Sequence, residues 1–294
     1  MKRMLGLAGL LIFCLALTAE GNAPKEEVAS RNFVLLFEIL DYSRELGDSL
    51  AFFFNEVLQP GDQLIIYTPA RAYGFSKTTL AKPKRELITP MQEKLRSDTA
   101  AGSSGYKIII NDMKTQVTAI EGGGTSTADA KAGIKDALTM YRQNLNNLEA
   151  LRKVNETLLM QIINMFKTQQ GKNHMVMIYQ AEFRPIPNKE TLTRLRDEQV
   201  ISFEVTELFA SEDQKPPLDA AKFIDVFTKT PITLHFIYVK PKDVPSLQNY
   251  KEHSADMFDV FSKIAQATGG IVETTANPQA GLKSLVKAIG ASSK

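Results

Sequence analysis

The sequence predicts an α/β protein with a doubly wound, mostly parallel six-stranded sheet, helices on both faces, and a long helical insertion. Short apolar runs rich in Val, Ile and Phe recur along the chain, as expected of strands that are buried on both faces of a parallel sheet. Amphipathic segments with apolar residues three or four positions apart lie between these runs. Strands that alternate with helices in this way form doubly wound sheets.

Six strands and four helices can be assigned from these patterns. The strong strand predictions are Asn32–Leu40, Asp62–Thr68, His174–Gln180 and Ile232–Val239. The weaker strand predictions are Val200–Leu208 and Ile271–Thr275. The predicted amphipathic helices are Ser43–Leu58, Leu218–Phe227, Met257–Ala267 and Gln279–Ile289. In such a sheet, ligands bind beyond the carboxyl ends of the strands, and we expect the functional residues there.

The segment Ser126–Gln170 is the predicted insertion, because it is free of proline and carries an apolar residue every three or four positions. A straight helix of this length would extend about 65 Å, which exceeds the width of a compact domain. The helix therefore either bends back near "QNLNNLE" as a hairpin on the sheet or projects from it. Its nearly heptad spacing is also typical of helices that bind a partner helix or groove.

The first residues predict export. Lys2 and Arg3 precede an apolar run, and Thr18-Ala19 offers a small-residue cleavage site, so residues 1–19 are interpreted as a signal peptide. Residues 20–30 are then a linker and residues 31–290 one domain. Cys14 leaves a lipoprotein as an alternative, although the bulky Phe13 and the apolar run beyond it favour cleavage after Ala19. The chain has one cysteine, so the mature protein would have no disulfide.

Charge and hydropathy exclude two classes of partner. Without Lys2 and Arg3, basic and acidic residues are equal in number, with 33 of each. No basic block occurs, which argues against nucleic acid as a partner. No second apolar run approaches 18 residues, and the mature chain is therefore not expected to span a membrane.

A hydrolase reading of "GDSL" (Gly47–Leu50) fails on its surroundings. The serine of GDSL hydrolases stands directly after the first strand, whereas Ser49 lies inside a predicted helix. The D-x-x-H pair of that family is missing at all three histidines. A serine without an orienting base is a weak nucleophile, so we do not expect an enzyme.

Five features make the chain similar to the von Willebrand factor type A domain over nearly all of its mature length. They are an apolar first strand, a helix ending in "LQPGDQLIIYTP" (Leu58–Pro69), the short strand around "RAYGFS", the turn "EGGGTST" (Glu121–Thr127) and "IAQATGGIVETT" (Ile264–Thr275). The resemblance implies a doubly wound sheet with a metal-ion-dependent adhesion site at its carboxyl edge. In that family, hydroxyl and carboxylate oxygens from three loops surround Mg²⁺ or a similar divalent cation.

The residues of this chain depart from that ligand set. The resemblance places Asp41, Ser43 and Glu45 in the first loop, although counting back from Pro60-Gly61-Asp62 brings the family's aspartate nearer Glu38. Thr125 matches the second loop.

In the third loop, Gln180 stands where an aspartate is expected, and Glu182 follows two residues later. We therefore expect a degenerate site that is metal-free or binds a divalent cation weakly through Asp41, Ser43 and Thr125. A plainer interpretation is that Ser43 and Thr125 only cap helices.

These observations predict an exported, non-catalytic protein-binding module. Its contact surface would be a rim made of Asp41–Glu45, Glu121–Thr127 and Gln180–Asn188, with Arg184 as a contact residue in a proline-containing loop. The alternatives are a scaffold protein that acts through residues 126–170 and, with weaker support, a GDSL-like hydrolase. The identity of the protein partner and the oligomeric state stay open.

Overall fold

A computed structural model describes residues 30–124, 127–151, 155–198, 201–209, 219–240 and 249–291. Its strands are β1 (Arg31–Glu38), β2 (Gln63–Tyr67), β3 (Ala72–Phe75), β4 (Lys172–Gln180), β5 (Phe183–Pro185), β6 (Ile232–Val239), β7 (Tyr250–Glu252) and β8 (Val272–Thr275). Its helices are α1 (Arg44–Phe52), α2 (Lys77–Leu80), α3 (Lys84–Gly102), α4 (Ser104–Gly122), α5 (Ala128–Leu151), α6 (Glu156–Lys167), α7 (Lys189–Arg196), α8 (Ser202–Phe209), α9 (Ala220–Thr228), α10 (Ala255–Ala267) and α11 (Pro278–Ala291). The predicted signal peptide lies outside these residues.

The main sheet has six strands in the order β3-β2-β1-β4-β6-β8. All neighbours are parallel except the edge strand β3, which runs antiparallel to β2. The predicted fold class is therefore confirmed, and so are the four strong strands and the strand near the C-terminus. A separate two-stranded sheet pairs β5 with β7.

The predicted strand Val200–Leu208 is wrong. Val200 lies outside the described residues, and the rest of the segment belongs to α8 and the turn before it. The buried residues Ile201, Val205 and Leu208 are spaced four and three positions apart, which is the period of a helix. The sixth strand of the sheet is β3, in the "RAYGFS" segment that the family resemblance singled out.

Helices cover both faces of the main sheet because consecutive side chains of a strand point to opposite faces. Phe33, Leu35 and Phe37 of β1 pack into a cluster with α1, α3 and α11. Val34 and Leu36 pack into a second cluster with α6, α9 and α10. Burial on both faces explains why β1 has an unbroken apolar sequence.

A third apolar cluster joins α4, α5, α7 and α8 and is separate from the two sheet clusters. Helices α3 and α4 are a large part of the fold that the sequence patterns did not assign. Asp98 connects α3 to the edge of the sheet, because its Oδ2 accepts hydrogen bonds from the hydroxyls of Thr68 and Tyr73 at 2.8 and 2.7 Å.

The predicted long insertion is divided into α5 and α6, with residues 152–154 outside the described ranges. Helix α5 runs unbroken through "QNLNNLE", so the chain does not bend there. The Asn155 side chain accepts a hydrogen bond from the backbone N–H of Leu158 at 2.9 Å and caps α6, which packs on the sheet. Helix α5 buries Ile134, Leu138, Tyr141 and Leu148 against α4 and α8 instead, whereas Met140 and Leu151 are exposed.

A buried ion pair lies at the amino edge of the sheet. Arg31 donates to Asp62 through Nε at 3.1 Å and through a terminal nitrogen at 2.6 Å, and their side chains are 11% and 4% exposed. Asp62 also accepts from the backbone N–H of Gln59 at 2.7 Å. The "PGD" sequence therefore has a structural role in this chain. No helix in the described ranges has the length and apolar character needed to cross a membrane.

Candidate functional site

The candidate site is the carboxyl edge of the sheet where β1 and β4 lie side by side. From β1 the chain continues to β2 on one side, whereas β4 leads to β6 and β8 on the other. Loops leave in opposite directions at such a switch point, and this opens a crevice in which doubly wound proteins bind ligands.

Gln180 fixes the turn that follows β1. Its Oε1 accepts hydrogen bonds from the backbone N–H groups of Leu40 and Asp41, both at 2.9 Å. Where the resemblance to type A domains predicts a metal-binding aspartate, this chain therefore carries an amide that binds the neighbouring loop. Asp41 itself is exposed and pairs with Lys107 of α4, with 2.8 Å between Oδ1 and Nζ.

Ser43 and Glu45 begin α1. The Ser43 hydroxyl accepts a hydrogen bond from the backbone N–H of Leu46 at 3.3 Å, as expected of an N-cap. Hydrogen bonds from the backbone N–H of Glu45 itself and from the Ser43 hydroxyl lower the pKa of the exposed Glu45 carboxyl. The plainer interpretation of Ser43 as a helix cap is thus supported.

The residues expected to hold a divalent cation do not fit that role as the structure places them. Asp41 pairs with a lysine, Ser43 caps a helix, and the amide oxygen of Gln180 is used by the backbone. Thr125 lies outside the described residues. Within those residues, no group of three or more His, Cys, Asp or Glu side chains is arranged to hold a metal ion.

A cavity of about 410 Å³ lies beside this turn. It is enclosed by the carboxyl ends of β1, β2 and β4, the corner between α3 and α4, and the facing ends of α5, α6 and α10. Its lining residues are Leu36, Glu38, Ile39, Leu40, Thr68, Pro69, Gly102, Ser103, Gly105, Tyr106, Leu151, Asn155, Leu158, Tyr179, Glu182 and Met257.

The α3–α4 corner approaches the sheet closely because Gly102 has no side chain. A Cβ atom at this position would lie 2.6 Å from Cβ of Pro69, at the end of β2. This close approach brings Ser103 to the cavity wall.

Two glutamates give the cavity its acidic character. Burial, and then the negative charge of Glu182, raise the pKa of the Glu38 carboxyl from 4.5 to about 7. Glu182 is 6% exposed, and its Oε1 accepts a short hydrogen bond from the Tyr179 hydroxyl. The backbone N–H of Glu182 donates to the Ser254 hydroxyl at 2.8 Å.

A polar network extends this site towards β7. The Tyr238 hydroxyl donates to Glu252 at 2.6 Å and lies 2.7 Å from the Ser254 hydroxyl. Burial, and then the hydrogen bond to Glu252, raise the pKa of Tyr238. Lys240 pairs with Glu252 at 2.6 Å. The network holds the end of β4 against β6 and β7 and so positions Glu182.

The prediction that Arg184 is a contact residue on the rim is wrong. Its side chain is 1% exposed and donates to the Tyr141 hydroxyl at 2.7 Å and to the backbone oxygen of Leu208 at 2.9 Å. Strand β5 turns inward beneath α5 and α8, so that this arginine joins β5 to the helical layer. The burial of Arg184 depends on this helical layer, which the local sequence does not reveal.

The serine of "GDSL" is a helix residue. Ser49 is completely buried, and its hydroxyl donates to the backbone oxygen of Leu46 at 2.7 Å. This is the common local hydrogen bond of a serine within a helix.

Sequence reasoning missed the roles of Ser103 and Tyr179 in the cavity. Glu38 had appeared only as an alternative position in the first loop. The small residues Gly102–Gly105 could have indicated a corner between helices. Nothing in the sequence indicated that this corner lies close to Glu38 and Glu182.

No protein-family model matches this chain, and no curated protein sequence matches it. Among solved structures, the chain is similar to the crystal structure of the TFIIH p34 N-terminal domain. The two share 10% sequence identity with a TM-score of 0.27, and the alignment covers 88% of this chain and 97% of that chain.

Proposed function

We propose that this protein is an exported, non-catalytic module that binds another protein through the carboxyl edge of its sheet and needs no metal ion to do so. The contact surface consists of the part of the predicted rim formed by the Asp41–Glu45 turn, together with the adjoining mouth of the cavity. Its resemblance to von Willebrand factor type A domains supports a binding role at this edge, although fold alone does not determine function.

The observation that carries the proposal is the double hydrogen bond from the backbone of Leu40 and Asp41 to Gln180. These two bonds hold an exposed polar turn in one conformation. A preorganised loop loses little conformational entropy on binding, which favours recognition. Asp41 and Glu45 remain exposed on this turn.

Two further observations support the proposal that the module is non-catalytic and needs no metal ion. The "GDSL" serine is buried in α1 with its hydroxyl bound to the helix backbone. In the first loop, Asp41 pairs with a lysine and Ser43 caps a helix. Export rests on the sequence of residues 1–19, with its basic start, apolar run and small residues at the expected cleavage site.

Photocrosslinking from defined positions tests the binding surface. A benzoylphenylalanine at Glu45 would lie on the rim, and one at the exposed Gln63 would lie at the opposite, amino edge of the sheet. We expect irradiation of producing cells to yield a discrete adduct from position 45 and none from position 63. Equal labelling from both edges, or no adduct from position 45, would contradict the proposal.

Thermal melts test the proposal that the protein needs no metal ion. Protein in EDTA and protein with excess Mg²⁺ or Mn²⁺ should unfold at the same temperature. An ion bound only by the folded state at a hundredfold excess over its dissociation constant would add about 2.7 kcal/mol to the free energy of unfolding. A clear rise in melting temperature with metal would therefore refute this part.

The hypothesis of a scaffold that acts through residues 126–170 loses its main support. The apolar residues Ile134, Leu138, Tyr141 and Leu148 of α5 are buried within the molecule. Helix α6 buries Leu159, Ile162, Ile163 and Phe166 against the sheet. Contacts inside this chain therefore account for most of the residues at the nearly heptad spacing, with Leu151 as an exposed exception.

A further inference from the structure

Strand β3 is an open edge of the main sheet. It comes last in the strand order and, among the described residues, pairs with β2 alone. The backbone N–H of Thr68 donates to the backbone oxygen of Arg71 at 2.8 Å, which makes these residues a hydrogen-bonded pair. Such pairs alternate with non-hydrogen-bonded pairs in an antiparallel ladder. The backbone N–H and C=O groups of Ala72 and Gly74 therefore point away from β2.

The sequence of β3 leaves this edge accessible to another strand. Edge strands are often protected by a proline, a bulge or an inward-pointing charge. The four residues of β3 read "AYGF" and keep an unbroken register with β2, so they contain none of these devices. Ala72 and Gly74 are exposed, and a Cβ atom on Gly74 would meet no atom within 4 Å. A second backbone can therefore approach closely here.

Two aromatic side chains of β3 offer packing surface to an added strand. Tyr73 and Phe75 lie on the face of the sheet that α1 and α3 cover, and both are partly buried there. The Tyr73 hydroxyl donates to Asp98 at 2.7 Å, and the Phe75 ring lies 5.5 Å from that of Phe54. Both rings are thus held in place. Aromatic side chains pair well with β-branched ones across neighbouring strands, so valine, isoleucine and threonine suit this edge.

The charge beside β3 is positive. Residues 71–85 contain five basic residues and no acidic one, whereas the whole chain has 35 basic and 33 acidic residues. Lys94 of α3 adds a further positive charge, with Nζ 4.7 Å from the centre of the Tyr73 ring. Among these six side chains, Arg71 alone forms an ion pair within the described residues, with Asp98 at 3.8 Å. The basic residues of the segment are Arg71, Lys77, Lys82, Lys84 and Arg85.

From these observations, we propose that β3 is the docking site of an extended, acidic segment of a partner protein, which joins the six-stranded sheet as a further strand. The segment exchanges backbone hydrogen bonds with Ala72 and Gly74. Its β-branched side chains pack beside Tyr73 and Phe75, and its carboxylates lie near Lys77 and the neighbouring basic side chains. Addition of a strand to a sheet edge is a common mode of peptide recognition. This site lies along the side of the sheet and does not use the rim, so the inference goes beyond the proposed function.

Charge favours an acidic partner segment over a second copy of this chain. Pairing of two β3 edges would bring the basic residues of both copies together, and like charges on neighbouring strands are destabilising. Nucleic acid is the other class of polyanion that a basic surface attracts. It binds through its phosphates and has no extended peptide backbone to pair with Ala72 and Gly74. These two residues therefore distinguish the possible partners.

NMR titration of the purified protein with two capped heptapeptides tests the inference. In both peptides valine or threonine alternates with a charged residue, which is glutamate in one and lysine in the other. We expect saturable binding of the glutamate peptide and at least about tenfold weaker binding of the lysine peptide. Bound glutamate peptide should slow the hydrogen exchange of the outward-facing amides of Ala72 and Gly74. The amide of Tyr73, which faces β2, should change little.

Two substitutions of Gly74 form a matched pair. Gly74→Pro removes the outward N–H and keeps the ladder with β2, because this N–H is not part of that ladder. Gly74 does not have the positive φ that would exclude proline. Gly74→Ala keeps the N–H and places its Cβ in open space. We expect the proline variant to bind the glutamate peptide at least about tenfold more weakly than wild type, and the alanine variant to stay within about twofold.

A second matched pair tests the charge. The double change Lys77→Glu, Lys94→Glu should weaken binding of the glutamate peptide by about fivefold or more. The control is Lys263→Glu, Lys283→Glu, which reverses two exposed lysines on α10 and α11. Both helices pack near β8, at the opposite side of the sheet, so this control should bind within about twofold of wild type.

Each result decides for or against strand addition. Loss of binding with Gly74→Pro but not with Gly74→Ala, in variants that melt normally, supports it. Equal binding by these two variants, or equal binding of the two peptides, would overturn it. Dimers of wild type that Gly74→Pro abolishes, or tight binding of a DNA oligonucleotide that this variant retains, would also overturn it. If the proline variant does not fold, unchanged exchange of the Ala72 and Gly74 amides at saturating peptide refutes the inference.

Discussion

Two buried histidines should make the protein sensitive to acid. His174 Nδ1 and His235 Nε2 lie 3.2 Å apart between β4 and β6, and the backbone N–H of Ile271 donates to His235 Nδ1 at 3.3 Å. His235 must therefore donate through Nε2, and both rings are neutral. Burial, and then the positive charges of Arg31 and Lys172, lower the pKa of His174 to about 4. Burial, and then His174, lower that of His235 to about 3.

The size of the expected stability loss follows from the linkage between protonation and folding. Both folded-state pKa values lie below the ordinary value of 6.5, so between these values the unfolded chain binds protons that the folded protein does not bind. The stability that the neutral pair contributes is present above pH 6.5 and is lost as the pH falls towards 4. Between pH 7 and pH 5, the loss is about 2 kcal/mol for each histidine.

Glu38 has the opposite effect. Its folded-state pKa of about 7 lies above its ordinary value of 4.5, so its contribution to stability is present at acid pH and is lost as the pH rises through 7. The wild-type pH profile thus contains two opposing slopes. A comparison with a variant that lacks the histidines separates them.

The assay is urea unfolding at pH 7, 6 and 5 for wild type and for the double variant His174→Gln, His235→Gln. We expect the free energy of unfolding of wild type to fall by about 4 kcal/mol more than that of the variant over this range. Only the difference in slope is used, so a lower absolute stability of the variant does not matter. Parallel pH profiles, or NMR signals showing either ring protonated in the folded protein at pH 5, would refute the reasoning.

Three further predictions concern stability and are measured by urea unfolding at pH 7. Asp62→Ala should lower the free energy of unfolding by about 3–5 kcal/mol because it leaves the Arg31 guanidinium buried without its carboxylate. Asp225→Ala removes one member of an exposed ion pair and should lower it by under about 0.5 kcal/mol. Equal losses would contradict this. Arg184→Ala should cost roughly 2–4 kcal/mol through lost packing and hydrogen bonds, and an unchanged midpoint would show that the side chain is not the buried connection described. Gly270→Ala should prevent normal folding because its Cβ would lie 1.7 Å from the backbone oxygen of Leu234, whereas Gly133→Ala, with no atom within 4 Å in α5, should stabilise by about 0.5–1 kcal/mol. A tolerated change at Gly270 would refute the close contact.

Local patterns predicted the sheet well because strand signals depend on neighbouring residues. The apolar runs of β1, β4 and β6 are long and unbroken, since both faces of the sheet are covered. The segment that became α8 was misread because its β-branched residues suggested a strand, while burial against α4 and α5 selected the helical period. Helices α3 and α4 went unassigned, although their apolar residues recur at helical spacing.

The candidate site was predicted less completely. Its location at the carboxyl edge follows from the order of strands and helices. Ser43 as a helix cap follows from local sequence. Gln180 was identified at the right loop, but its role in binding the backbone of the β1–α1 turn required the neighbouring strand to be in place.

The sequence by itself determined the alternation of strands and helices, the two buried faces of the sheet and the cap of α1, because these depend on residues a few positions apart. Only the tertiary structure decided that Arg184 is buried, that α5 packs on α4, and that Glu38, Ser103 and Glu182 meet in one cavity. The physical reason is that burial and charge coupling belong to the surroundings of a group. Those surroundings are assembled from distant segments: the partners of Arg184 lie 43 and 24 residues away, and the three cavity residues lie more than sixty residues apart in the chain.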